Sequence, residues 1–448
     1  MRQQVRRLAW LFVLMLGSVP PAPGAPADRY ILRTTPGTSV GEILARYPLE
    51  LRDVLDDDHD HGVFLVQASD ALPAALVEGE VEADAAVLGF EALQDVRLPE
   101  ALPSATLQQS TSAILDALAD TSLVGFYDAS ARTSYVNQPA AALVRLPDVR
   151  PVATGSGAVV AIIDTGIDPS HPLLSQRLVP GYDFVRDIPG SASEMPDLDP
   201  SPSALPDANP SGLDTSAAVN QSTSAILDQS PSLLPDTTTL HATFGHGTMV
   251  AGIVHLVAPE ASIMPLKAFR ANGVSNTFDI IRAIYYAVEH GAKVINMSFS
   301  LAGYSGELLR ALEFATDSGV ICVASAGNDG KREPLIYPAS APNVMAVAAS
   351  NDFDVRSWFS NYGQDLIHVA APGEGIITTF PGSRYAAAWG TSFSAPFVTG
   401  AAALLVQVDP GTNQYRAADD LSHAARLTDE LGHGRLDLYE GVVKRHDD

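Results

Sequence analysis

The sequence predicts an α/β protein built on a mostly parallel sheet with helices covering both faces. Three observations carry that prediction. Apolar runs at 158–163, 262–266, 293–297, 320–324 and 344–348 are continuous rather than alternating, as in strands buried on both faces. Helical patterns at 277–290 and 306–318 fall between such runs, and strand–helix alternation is the signature of parallel pairing through crossovers. Finally, 448 residues with 46% hydrophobic and 18% charged side chains suffice for one large core plus a smaller unit, and rule out a disordered chain.

The elements follow in chain order. Arg2, Arg6 and Arg7 precede an apolar run at 8–16 that is too short to span a bilayer, and Ala25-Pro26-Ala27 has the small-x-small pattern of a cleavage site. Residues 1–27 are therefore expected to be a signal peptide, and the protein to be secreted, extracellular or periplasmic. No other apolar run reaches spanning length, so no membrane contact is expected after cleavage. Residues 28–99 read as a small α+β unit, with strands at 30–33 and 63–68 and helices at 40–47 and 71–86. A linker at 100–132 carries one helix near 112–119. The main domain is expected over 133–443. It is interrupted at about 190–240 by a Pro-, Ser-, Asp- and Ala-rich segment that reads as a long surface insertion. The octapeptide Gln-Ser-Thr-Ser-Ala-Ile-Leu-Asp occurs at both 109–116 and 221–228. It suits a helix start, so the copies read either as a duplicated surface helix or as competitors for one docking site. The net charge of −25 excludes a nucleic-acid partner, which would need clustered Lys and Arg. The single cysteine, Cys322, lies in an apolar run and reads as a small buried hydrophobe, which excludes an internal disulfide.

Four blocks carry chemistry. The run at 158–163 delivers Asp164 to a strand end, with Gly166 permitting a sharp turn; Asp168 reads as a turn residue. A buried carboxylate there needs a partner, and a histidine would serve. Gly245-His246-Gly247-Thr248 leads into a small-residue helical pattern, placing His246 near a helix start, whereas His241 and His255 lack that setting. Gly390-Thr391-Ser392 precedes a long apolar helix in which Pro396 is expected in the first turn. Ser392 would then sit beside free backbone N–H groups and the positive end of the helix dipole, a better place to attack from than Ser394. In Ser325-Ala326-Gly327-Asn328 a strand ends in an asparagine that could donate to an oxyanion or simply shape a turn. Asp56-Asp57-Asp58-His59-Asp60-His61 has metal-like composition but no His-Glu-x-x-His spacing, and reads as a charged turn.

Taken together, Asp164-Thr165-Gly166, Gly245-His246-Gly247-Thr248, Ser325-Ala326-Gly327-Asn328 and Gly390-Thr391-Ser392-Phe393-Ser394-Ala395-Pro396 resemble the subtilisin-like serine proteases, the subtilases, in identity and chain order. The resemblance covers about 133–443. It implies the three-layer subtilisin-like fold and a secreted endopeptidase working through an acyl-enzyme. Asp164, His246 and Ser392 would form the triad, with Asn328 in the oxyanion hole. It also implies that substrate pairs as a strand beside Ser298, Phe299 and Ser300, and that Ala324, Ser325, Ala326 and Gly327 wall the specificity pocket. Phe299 and Ser300 depart from the family's usual leucine and glycine, which bears on pocket shape. The 28–99 unit would be a propeptide that assists folding and inhibits its own enzyme. The partners expected are protein or peptide substrates, for a monomeric enzyme.

The chemistry requires no cofactor. Many subtilases bind calcium, which would stabilise an acidic, disulfide-free chain. The insertion offers Asp197, Asp199 and Asp207, but no calcium-loop spacing is present and no site is assigned. Two other readings remain. One is a catalytically idle protein of this fold that serves as a binding module, against which all four intact blocks weigh. The other is an acyl-transfer enzyme for small esters, distinguishable by comparing protein and ester turnover.

Overall fold

The computed structural model describes residues 29–56, 62–68, 74–98, 112–190, 192–198, 225–227 and 243–444. The chain divides into two units, Met1–Leu93 and Gln94–Asp448. The proposed signal peptide and 57–61, which includes most of the Asp/His cluster, lie outside the described residues.

In the first unit, β1 (Arg29–Thr34), β2 (Leu49–Asp56), β3 (Val63–Ala68) and β4 (Val87–Ala92) form an antiparallel sheet in the order β2-β3-β1-β4. Helices α1 (Val40–Arg46) and α2 (Ala74–Glu82) accompany it. Alternate residues Tyr30, Leu32, Phe64, Val66 and Phe90 point to one face and share a core with Ile43 and Val81. Strands β2 and β4, which form the edges, escape the sequence reading. Register shifts between Leu51 and Asp53 and between Val54 and Asp56 break the alternation of β2, and Leu51, Val54 and Leu88 remain exposed.

The second unit begins with β5 (Asp95–Arg97), so the boundary falls earlier than the expected residue 99. Helix α3 (Ser112–Ala119) lies in the expected linker, which also contains the hairpin Leu123–Phe126 with Ala129–Arg132. The main sheet has eight strands. They are β6 (Val159–Asp164), β7 (Tyr182–Asp183), β8 (Ile188–Pro189), β10 (Ser262–Lys267), β12 (Val294–Met297), β13 (Ile321–Ser325), β14 (Met345–Ser350) and β15 (Val369–Pro372), in the order β8-β7-β10-β6-β12-β13-β14-β15. All neighbours are parallel except the edge pair β7–β8.

Period-2 alternation divides the strand residues between two faces. Val160, Ile162, Val294, Ile321, Val323 and Val347 share a core with helices α4 (His246–Val257) and α7 (Thr391–Val408). The alternate residues meet α5 (Thr277–Glu289) and α6 (Gly306–Asp317), which completes three layers. Helix α7 corrects one expectation: by length and composition it could span a membrane, but it runs through the protein core, and 391–405 are buried. Cys322 is buried in β13, and burial pushes its thiol up to about 12.

A smaller sheet is formed by β9 (Ala225–Leu227), β17 (Arg384–Ala388) and β16 (Ile376–Phe380), all antiparallel. The repeated octapeptide therefore takes two forms. Its first copy opens α3, where Ile114 packs on a cluster with Ala387 and Trp389. Its second copy contributes β9, paired with 386–388 of β17. The expectation of two helices fails, because an open strand edge supplies backbone partners that override local preference. The start of the Pro/Ser/Asp-rich segment also differs from a surface loop: Glu194 is fully buried and Asp197 nearly so.

Candidate active site

Strand β6 is paired on both sides, by β10 and β12, so its last residue emerges at the carboxyl edge of the sheet. That residue is Asp164, which is fully buried. Its Oδ1 accepts the Thr165 N–H at 2.7 Å, and its two oxygens lie 2.8 and 2.9 Å from His246 Nδ1. Gly166 turns the chain at φ +102, and a Cβ there would lie 2.7 Å from the Ala192 carbonyl oxygen.

His246 is the first residue of α4. Gly245 precedes it at φ +91, where a side chain would also strike the Phe380 ring at 2.3 Å. The imidazole is nearly buried and tilts against Phe393 with centroids 5.4 Å apart. With Nδ1 bound to Asp164, Nε2 is the nitrogen left to exchange a proton.

Ser392 is the second residue of α7, where backbone N–H groups have no intrahelical acceptor. Its Oγ donates to the Ser298 carbonyl at 3.3 Å. Pro396 lies deeper than expected, at the sixth position of the helix. Having no N–H, it leaves the Ser392 carbonyl four residues back without its helical donor. Ser298 Oγ supplies one at 3.0 Å, and the chain continues inward through Asn296 Nδ2 to Ser298 Oγ (2.9 Å) and Thr399 Oγ1 to Asn296 Oδ1 (2.8 Å). A buried polar network thus takes the place of the missing bond and fixes the turn that bears Ser392. The rival Ser394 is committed elsewhere, its Oγ donating to the Pro372 carbonyl at 3.2 Å.

Asn328 lies beside that turn. Its Oδ1 accepts from the Thr391 N–H at 3.0 Å and the Thr391 hydroxyl at 2.9 Å, and its Nδ2 is 3.2 Å from where a Cβ on Gly390 would sit. With the oxygen occupied, the amide N–H₂ is the end left to donate, beside Gly390. Gly327 N–H donates to Thr391 Oγ1 at 3.1 Å, locking the two segments together.

The residues expected to line the cleft are distributed as follows. Ala324 and Ser325 end β13; Ala326 and Gly327 follow it, held by Asn361, whose Nδ2 donates to the Ala326 carbonyl at 2.8 Å. Ser298 is buried and committed to the network above. The ring of Phe299 is fully buried 5.2 Å from that of Phe269, so it fills the core rather than a pocket. Ser300 already pairs with this chain: its N–H donates to the Arg97 carbonyl at 3.2 Å. On its other side, β5 pairs antiparallel with β11 (Val274–Asn276). Residues 95–97 therefore fill a strand position beside Ser300, and Val96 and Leu98 are buried there.

Of the remaining candidates, Asp168 is a turn residue whose oxygens accept from Ser170 and the Gly382 N–H. His255 is buried within α4, and His241 lies outside the described residues. Asp197 is ion-paired to Lys267 at 2.8 Å and to Arg186, so both its oxygens are taken by side-chain cations rather than left for a metal ion; Asp199 and Asp207 lie outside the described residues. Sequence reasoning missed Thr391, Asn296, Thr399, Glu194 and Lys267. Thr391 and Thr399 stood inside the block and helix that begin at Gly390. The others are single polar residues in apolar or low-complexity surroundings.

Comparison with known proteins gives one consistent answer. The family model described as "Subtilase family" matches residues 155–442. The chain is 35% identical over 304 residues to thermitase of Thermoactinomyces vulgaris, covering 67% of this chain and 93% of that protein. It is 32% identical over 281 residues to subtilisin Savinase of Lederbergia lenta, covering 61% and 84%. A protease of Pseudoalteromonas arctica aligns in structure with a TM-score of 0.54 at 27% identity, over 67% of this chain and 94% of that one. Fervidolysin of Fervidobacterium pennivorans shares the fold over 95% of this chain and 62% of its own, at a TM-score of 0.68 and 20% identity.

Proposed function

Because this chain belongs to the subtilase family and is a serine protease of the subtilisin type, we propose that it is exported as a zymogen and cleaves peptide bonds through an acyl-enzyme formed on Ser392. The observation that carries the reading is the hydrogen-bonded Asp164–His246 pair, and it is supported by the ring of Phe393, the residue after Ser392, lying 5.4 Å from the imidazole. Ser392 Oγ attacks the scissile carbonyl carbon and passes its proton to His246 Nε2. Asp164 holds the imidazole through Nδ1–H and stabilises the imidazolium, which then protonates the leaving amine. The oxyanion is received by the Ser392 N–H and Asn328 Nδ2, donors fixed before the charge develops. Water repeats the sequence to release the acid.

Support for a zymogen comes from 94–98. This segment follows the first unit in sequence and lies as a strand between β11 and Ser300, where the family places substrate. A propeptide whose tail holds that position blocks the cleft until it is cut. Ser298, Ser300 and 324–327 are the proposed contacts for substrate backbone and side chain, and the enzyme is proposed to act as a monomer. Export rests on the basic, apolar start and the Ala25-Pro26-Ala27 pattern. Any structural calcium would be held outside the Asp197 site, whose oxygens are taken.

The test compares the purified protein with Ser392→Ala, by casein digestion and by the size of the protein itself. Wild type should shorten and digest casein, while the variant stays full length and inert. If both stay full length and neither cleaves, the zymogen protease reading fails and the binding-module alternative replaces it.

A further inference from the structure

We propose that Glu194 is a positioning residue for the Asp164–His246 pair: its carboxyl fastens the strand end that delivers Asp164 to the helix start that delivers His246. The inference rests on the protease reading above and adds a residue to it from outside the four recognised blocks.

Glu194 is fully buried, and each hydrogen-bond partner of its carboxyl lies in or directly beside one of the two elements that carry the pair. From the β6 side, Thr165, the residue after Asp164, donates its hydroxyl to Oε2 at 3.1 Å. From the α4 side, the Gly245 N–H donates to Oε2 at 2.7 Å, and the Thr248 hydroxyl donates to Oε1. Gly245 and Thr248 bracket His246. The two threonines are themselves oriented, because each hydroxyl oxygen accepts a backbone N–H: Gly247 to Thr165 Oγ1 at 3.0 Å, and Asp168 to Thr248 Oγ1 at 2.8 Å. Their protons are thereby directed at Glu194. One carboxyl closes a ring of hydrogen bonds around the Asp164–His246 contact.

The neighbouring glycines are shaped to admit this segment. A Cβ on Gly166 would lie 2.7 Å from the Ala192 carbonyl oxygen and 2.9 Å from the Glu194 nitrogen. A Cβ on Gly247 would lie 2.1 Å from the Gly166 carbonyl oxygen, so the strand end and the helix start could not approach. The Ile167 N–H donates to the Ala192 carbonyl at 3.0 Å, and the adjoining turn is anchored by Asp197 on Lys267, whose Nζ also donates to the Thr165 carbonyl at 2.6 Å. Burial raises the Glu194 carboxyl to about 8, the hydrogen bonds and Lys267 pulling the other way and Asp164 adding to the rise.

The experiment uses the full chain with Glu194→Ala, Glu194→Gln and Glu194→Asp. Active sites are counted with a fluorophosphonate, and kcat and KM are measured on a chromogenic peptide. The His246 Nδ1 proton is followed by low-field NMR in the Ser392→Ala background. For Glu194→Ala, kcat per titrated site should fall on the order of 10–10²-fold, the scale of a small misplacement of catalytic groups, with KM nearly unchanged and the Nδ1 proton signal shifted or lost. Glu194→Gln, which keeps the length and an acceptor, should restore most of kcat and the signal. Should the alanine protein not fold, the Asp and Gln variants decide: aspartate, one methylene short of spanning both elements, should lose kcat where glutamine does not. An active wild type whose variants lose only melting temperature, with kcat and the Nδ1 signal unchanged, overturns the proposal alone. A wild type that neither hydrolyses peptide nor takes the label overturns the protease reading with it.

Discussion

Asn328 shows how one side chain is made useful by what its other end does. Its oxygen receives two hydrogen bonds from Thr391, so the amide cannot flip without losing both, and the N–H₂ is left to donate beside Gly390. In the proposed oxyanion role, a donor held this way would need no reorganisation when charge develops on the substrate oxygen. Asn328→Ala should lower kcat on the order of 10²–10³-fold with little change in KM, the loss that removing such a donor causes in a subtilisin. Steady-state kinetics on a short peptide checks this; a loss confined to KM would assign Asn328 to substrate binding instead. At this scale the sequence was legible where residue types came in blocks. Asp164, His246, Ser392 and Asn328 all stand in short runs bounded by glycine. Glu194 stands in Ser-Ala-Ser-Glu-Met, where nothing local distinguishes a buried carboxyl from a solvated one. Its role depends on partners that are distant in sequence, at 165, 245 and 248.

Helix α4 carries His246 and is buried along its whole length, which leaves little room for error in its seat. Strand β16 reaches over it: the Thr378 hydroxyl donates to the Met249 carbonyl at 2.6 Å and the Thr379 hydroxyl to the Thr248 carbonyl at 2.7 Å. Gly252 makes this approach possible, since a Cβ there would lie 2.2 Å from Thr379 Oγ1 and 2.9 Å from the Thr379 backbone nitrogen. Gly252→Ala would gain helix propensity of about 1 kcal/mol but force the strand away, and overpacking of this kind typically destabilises by about 1–3 kcal/mol. The variant should therefore unfold at lower urea than its parent when both are measured in the Ser392→Ala background, which prevents self-digestion. A higher midpoint would mean that β16 yields easily. Strands were read well from sequence where a continuous apolar run marks them; the equally buried β15, β16 and β17, with threonine, alanine and proline among their residues, were not. The five apolar runs coincide with β6, β10, β12, β13 and β14 to within a residue or two. Edge strands β2 and β4 were lost because irregular register interrupts their alternation. The octapeptide, helical at 112–116 and extended at 225–227, shows the limit of local reading, since identical residues obey the partner available to each copy.

Across the whole molecule, buried ionisable groups give stability a pH dependence that can be separated by sign. Burial lowers His171 to about 4 and His255 to about 3 from an ordinary 6.5, and Arg177 adds to the lowering at His255. His171 is held neutral by geometry as well: Nδ1 accepts the Leu173 N–H at 3.3 Å while Nε2 faces the Arg384 carbonyl at 3.2 Å. His255 Nδ1 has no partner among the described residues. Below pH 6.5 the unfolded chain takes up protons at both imidazoles and the native chain does not. Native stability is therefore lost as pH falls from 6.5 toward 4, at about 1.4 kcal/mol per pH unit for each group. Glu194 acts in the opposite direction. Its native carboxyl, raised to about 8 by burial, holds a proton between pH 8 and 4.5 that the unfolded carboxyl has released, so its own contribution improves as pH falls. The net slope mixes these terms, but a difference between two proteins does not. His255→Leu in the Ser392→Ala background removes one histidine and leaves Glu194 and His171 in place. Between pH 7 and 4.5 the variant should lose about 2–3 kcal/mol less stability than its parent, read from urea unfolding at the two pH values. Parallel losses would mean that His255 is protonated in the native protein, and that the interior around α4 admits charge.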